Sequence, residues 1–119
     1  MTLEDYNAFC ASLPHATHVV QWGGAFVWKV GGKVFAIAWA EERQPLAVTF
    51  KCSPMSYELL KGVKGCRPAP YLASRGMLWI QRTSAVSLKD AALKDYIRES
   101  HRLAALNLTK KLRKELGLE

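Results

Sequence analysis

The hydrophobic pattern of the chain predicts an α+β domain of two layers, an antiparallel sheet covered on one face by helices. Three observations carry this prediction. Apolar and other residues alternate through AFVWKV, KVFAIAW, LAVTFK and MLWIQR, the period of strands with two different faces. Apolar residues recur at helical spacing near the start, in TLEDYNAFCASL, and again from Leu88 through HRLAALNLTKKLRKEL. Gly31-Gly32 joins two of the alternating runs, and paired glycines supply the positive φ angles of a two-residue hairpin turn.

Taken in order, Thr2 is placed to cap a first helix with Asp5 three residues on, and Leu3, Tyr6, Phe9, Cys10 and Leu13 line one side until Pro14 closes it. A short extended piece over 18–22 leads through Gly23-Gly24 into the hairpin of residues 27–39. A regular hairpin sets Val30 opposite Lys33, Trp28 opposite Phe35 and Phe26 opposite Ile37. One face then gathers Phe26, Trp28, Val30, Phe35, Ile37 and Trp39, and the other Ala25, Val27, Lys29, Val34, Ala36 and Ala38. After the link EERQP, Leu46, Val48 and Phe50 alternate with Ala47, Thr49 and Lys51 as the next strand. The bulky side needs helices over it, and the shallow side of Ala, Thr and Lys is left open.

Ser53 and Pro54 start a second helix, with Met55, Leu59 and Leu60 on its apolar side and its end near Gly62. In KGVKGCRPAPYLASRG, Pro68 and Pro70 exclude helix and disfavour a central strand, so an irregular or edge segment precedes the strand MLWIQR. Ser87 and Asp90 read as the capping box of a long helix, with Leu88, Ala91, Ala92, Leu93 and Ile97 inward and a break expected near Ser100 or Thr109. The resulting order is helix, three or four strands, helix, two strands, then one or two helices.

With 119 residues, half of them apolar, the chain is expected to form one domain over 1–119. No run approaches the length of a membrane span, and the acidic start lacks the features of a signal peptide, so a cytoplasmic protein without membrane contact is expected. Cys10, Cys52 and Cys66 are odd in number and widely spaced, which predicts reduced and mostly buried thiols.

The net charge of +7 is uneven: residues 1–50 contribute −1, residues 51–86 contribute +5 and residues 87–119 contribute +3. Such a bias favours a polyanion or an acidic partner. The cluster Lys110, Lys111, Arg113 and Lys114 sits where a helix C-terminus favours positive charge in any case.

Sites for chemistry are sparse. Cys10, His15 and His18 straddle Pro14 and lack further ligands at metal spacing, so no metal is expected. His101 is expected to be solvent-facing or half-buried. Glu41 and Glu42 are adjacent at a strand end and point to opposite sides, no nucleophile finds a base at a recognisable spacing, and no phosphate-binding glycine loop occurs. A non-enzymatic protein without cofactor is expected.

Taken together, VWKVGGKVFAIAW, LAVTFKCSPMSYELL, GCRPAPYLASRGMLWI and IRESHRLAALNLTKKLR resemble the MmcQ/YjbR family of small bacterial proteins over nearly the whole chain. The resemblance implies helix, three strands, helix, two strands and helix in two layers, similar to type III secretion chaperones. It also implies DNA binding, by the family's likeness to the double-wing domain of a phage transcription factor. His101 departs from the family pattern, which commonly has Tyr after the serine, and this bears on the packing of the last helix. On this reading Lys29 and Lys33 at the hairpin tip, Thr49 and Lys51 on the shallow face, and Lys64, Arg67, Arg75 and Arg82 in the basic segment contact DNA phosphates. The alternative is a protein-interaction or chaperone-like adaptor domain, engaging another chain or a second copy through an exposed apolar patch.

Overall fold

The computed structural model describes residues 1–21, 23–40, 46–70 and 77–118. Its elements follow the expected order, with four strands in the first group: α1 (Leu3–Ala11), β1 (Ala16–Gln21), β2 (Ala25–Val30), β3 (Lys33–Trp39), β4 (Ala47–Lys51), α2 (Pro54–Leu60), β5 (Cys66–Pro68), β6 (Trp79–Arg82), α3 (Asp90–Leu106) and α4 (Lys110–Glu115). The six strands form one sheet in the order β1-β2-β3-β4-β6-β5, with every pair antiparallel. Helices α1 and α3 pack on one face, which is the predicted two-layer α+β architecture.

Local signals account for most of the element ends. Thr2 and Asp5 form the reciprocal capping box of α1. Ser53 caps α2 with Pro54 in its first turn, and Thr109 caps α4, so the chain breaks at Thr109 and runs unbroken through Ser100. The cap expected at Ser87 is not formed. Helix α3 begins three residues later, with Lys89 at its N-cap and no side-chain hydrogen bond there. Asp90 is engaged elsewhere, accepting from Arg82 Nη2 at 2.7 Å and pairing with the Met1 amino group at 3.0 Å. The link 41–45, with Glu41 and Glu42, and residue Trp22 lie outside the described residues.

The hairpin of β2 and β3 departs from the expected register. Val30 faces Lys33 as predicted, but Trp28 faces Ala36 and Phe26 faces Ala38, because one extra residue of β3 is inserted opposite the Trp28/Lys29 step. Phe35 is that residue, and the bulge turns every later side chain of β3 over. Ala36 and Ala38, expected on the shallow face, lie at 0% exposure in the helix-covered core, and Ile37 and Trp39 move to the other face. Volume explains the arrangement. Ala36 sits between Trp28 and Phe50, and Ala38 between Phe26 and Val48, so small residues on the central strand accept bulky ones from both neighbours.

A serine from the helical layer supports the bulge. In a continued β3–β4 ladder the next bond after the Ala36–Phe50 pair would run from the Lys51 N–H to the Phe35 carbonyl. Instead, the fully buried Ser100 of α3 stands between them: its hydroxyl accepts from Lys51 N at 2.8 Å and donates to Phe35 O at 2.6 Å. One residue on, His101 is buried rather than half-exposed. Its Nε2 lies 2.8 Å from Pro14 O, which can only accept, so this nitrogen carries the proton; the ring stands edge-on to Phe35. Tyr6 and Asn7 of α1 hold the other end of the layer, donating to Phe26 O and accepting from Trp28 Nε1, both at 2.9 Å.

The cysteines are free thiols. Cys10 and Cys52 are buried as expected, and burial pushes their thiols up to about 12 and about 11; Cys66 is half-buried.

Candidate nucleic-acid interface

Strand register determines which cations share a surface. Val19, Val27, Ile37, Thr49, Gln81 and Arg67 form one row across all six strands on the face opposite α1 and α3. One row further along, Thr17, Lys29, Val34, Lys51 and Trp79 lie on the same face. Lys29 and Lys51 are thus two strands apart, about 10 Å between their Cα atoms, and Arg67 is two strands beyond Lys51. Their side chains have no acidic partner among the described residues. Arg67 is oriented by its own neighbour, donating from Nε to Gln81 Oε1 at 2.8 Å, which leaves the outer nitrogens of the guanidinium pointing away from that contact.

The remaining predicted residues fall differently. Lys33 is exposed at the hairpin turn and Lys64 in the link before β5. Thr49 stands in the correct row but is only 3% exposed, shut in between Ile37 and Gln81, and does not present its hydroxyl to a ligand. Arg82 belongs to the opposite face, because it pairs with Val48 and Cys66 in the helix-covered rows. At 2% exposure, with Asp90 on its Nη2, it is an internal ion-pair residue and not a phosphate contact. Arg75 lies outside the described residues.

The face opposite α1 and α3, expected to be shallow and open, is closed to solvent across its centre. Val27 and Ile37 are buried on it with Val34 and Trp39 packed against them, and Trp79 and Gln81 are buried as well. Its cations therefore frame an apolar and aromatic centre. Sequence reasoning missed Gln81, which positions Arg67, and Trp39, which the bulge brings to this side. The alternation of Ala with Ile and Trp after Phe35 held the signal, since bulky neighbours on both flanking strands require the alanines between them. The hairpin tip is not a free arm. Gly31, at φ 54°, packs so closely on Leu108, beyond the end of α3, that a Cβ there would lie 2.8 Å from its methyl carbons.

An antiparallel sheet with one helix-covered face and one cation-framed face defines a two-layer α+β protein. A family model described as YjbR matches residues 11–103, and the chain belongs to the YjbR family. Among solved structures it is similar to the crystal structure of Deinococcus radiodurans protein DR2400, with the domain DUF419, at a TM-score of 0.86 and 26% sequence identity. That match covers 99% of this chain and 89% of the other. No curated protein matches. No helix among the described residues is long and apolar enough to cross a membrane.

Proposed function

We propose that this protein is a non-enzymatic DNA-binding member of the YjbR family that holds the phosphate backbone against the cations framing the sheet face opposite α1 and α3. The observation that supports this most is the projection of Lys29, Lys51 and Arg67 to one face, without an acidic partner among the described residues. Lys33 and Lys64 extend the positive surface at its margins. No side chain of this set is placed to distinguish one base from another, so binding is electrostatic and independent of sequence.

Titration of a labelled duplex at several salt concentrations tests the proposal. Three phosphate contacts give a slope near −2.7 in log K against log salt, which is a loss of about 40-fold between 50 and 200 mM. Alanine at Lys29, Lys51 or Arg67 lowers the slope by about 0.9 each, whereas Lys110→Ala in α4 leaves it unchanged. Absence of binding at about 50 mM salt overturns the reading.

A second reading, an adaptor for another protein, is supported by a different surface. Met55 and Leu59 on the outer side of α2 are 83% and 64% exposed, and Met77 before β6 is 42% exposed. Failure of duplex binding together with loss of a protein partner on Met55→Ser and Leu59→Ser substitution favours that reading.

A further inference from the structure

We infer that β1 pairs with β1 of a second copy of this chain, joining two sheets edge to edge about a twofold axis. The sheet has two edges. The β5 edge is three residues long and carries Arg67 and Pro68, two of the ordinary devices that discourage pairing. The β1 edge has neither device. Ala16–Gln21 reads ATHVVQ: it contains no Lys, Arg, Asp, Glu or Pro, pairs with β2 without a bulge, and exposes Val19 and Val20 at 37% and 52%.

The backbone indicates which groups await a partner. Ala16 gives its N–H to Leu13 O rather than to β2, so Thr17, Val19 and Gln21 make the bonds to β2. Alternation then turns the N–H and C=O of His18 and Val20 outward. These groups are complementary to themselves under twofold rotation: centring the axis on Val19 sets His18 against Val20 of the second copy, and Val20 against His18, as bonded pairs. Val19 meets its own equivalent in the close, non-bonded position, and Thr17 meets Gln21.

The fit of the edge to itself under twofold rotation favours a second copy as its occupant, and the strand adds no local charge repulsion to that pairing. Two chains of net charge +7 repel over most of their surfaces, whereas this strand is neutral and places no like charges opposite one another. The same register keeps both helical layers on one side, because residues facing each other across the axis point to the same face. The product is a continuous sheet with two copies of Lys29, Lys51 and Arg67 on the side opposite the helices. A single edge strand is a small interface, so association is reversible and depends on concentration. The inference does not depend on DNA binding.

Sedimentation velocity of the full chain without nucleic acid, from about 1 μM to about 1 mM, tests it. The expected result is a mass that rises with concentration toward twice that of one chain. Val20→Lys should hold the protein at one chain throughout, whereas Met55→Lys, which alters an exposed side chain on α2 beside β5 and β6 at the opposite edge, leaves the rise intact. In the unaltered protein, amide chemical shifts that move with concentration should centre on residues 17–21, a reading that needs no folded variant. A single-chain mass at every concentration overturns the inference, as does a rise in mass with shifts centred elsewhere.

Discussion

Ser100 and Arg82 show how two buried polar side chains take unlike roles in one core. The Ser100 hydroxyl stands in for a ladder bond and satisfies two buried backbone groups at once. Replacing it by alanine leaves the Lys51 N–H and the Phe35 carbonyl without their partner, so Ser100→Ala should destabilise the protein by about 2 kcal/mol, measured by urea unfolding, with little change of volume. Arg82 holds a charge inside the helix-covered face, where Asp90 is its ion-pair partner and in turn pairs with the Met1 amino group. Asp90→Asn removes the compensating charge and should cost about 2 kcal/mol in the same measurement. Breaking a fully buried pair costs more, roughly 3–5 kcal/mol, but Asp90 is half-exposed and water offsets part of the loss.

At the scale of elements, helix and strand identity was legible wherever a local rule decided it. Thr2 with Asp5, Ser53 with Pro54, Thr109, the Gly31-Gly32 turn and the proline-bearing edge at Pro68 all act through their nearest neighbours in the chain. The bulge at Phe35 was not legible from β3 alone: Ala36 and Ala38 signal it only once Trp28, Phe26, Phe50 and Val48 are known to flank them, and α3 supplies the Ser100 that supports it. Arg82 was misplaced for a related reason. Alternation in MLWIQR groups Trp79 with Gln81 and Ile80 with Arg82, and only pairing with Val48 and Phe50 of β4 shows that the second group faces the core. Of the predicted site, Lys29, Lys51 and Arg67 share a face because strand parity is a local property, while the burial of Thr49 arises from strands distant in sequence. The turn supplies the prediction at this scale. Gly31→Ala meets both a positive φ and the Leu108 side chain, whereas Gly32→Ala, at φ 84°, meets open space. The first should lower the urea midpoint more than the second, each losing at least about 1 kcal/mol.

For the molecule as a whole, acid stability follows from the same ion pair. The Arg82 guanidinium, and after it the Met1 amino group, hold the Asp90 carboxyl below the usual carboxylate range. A carboxyl whose folded pKa lies below its unfolded value of about 3.9 contributes stability that is fully present above that value and is lost as pH falls through the folded pKa. Thermal melts should therefore show an acid limb below about pH 4 that is shallower in Asp90→Asn than in the parent chain. Ser100 carries a further consequence for how the molecule opens. Because the Lys51 amide is held by a helix and not by a strand, its protection from hydrogen–deuterium exchange should follow the detachment of α3 from the sheet rather than the fraying of β4. A single amide thus reports the coupling of the two layers: if the helical layer lifts as a unit before the sheet opens, Lys51 exchanges with that first event while Thr49 stays protected.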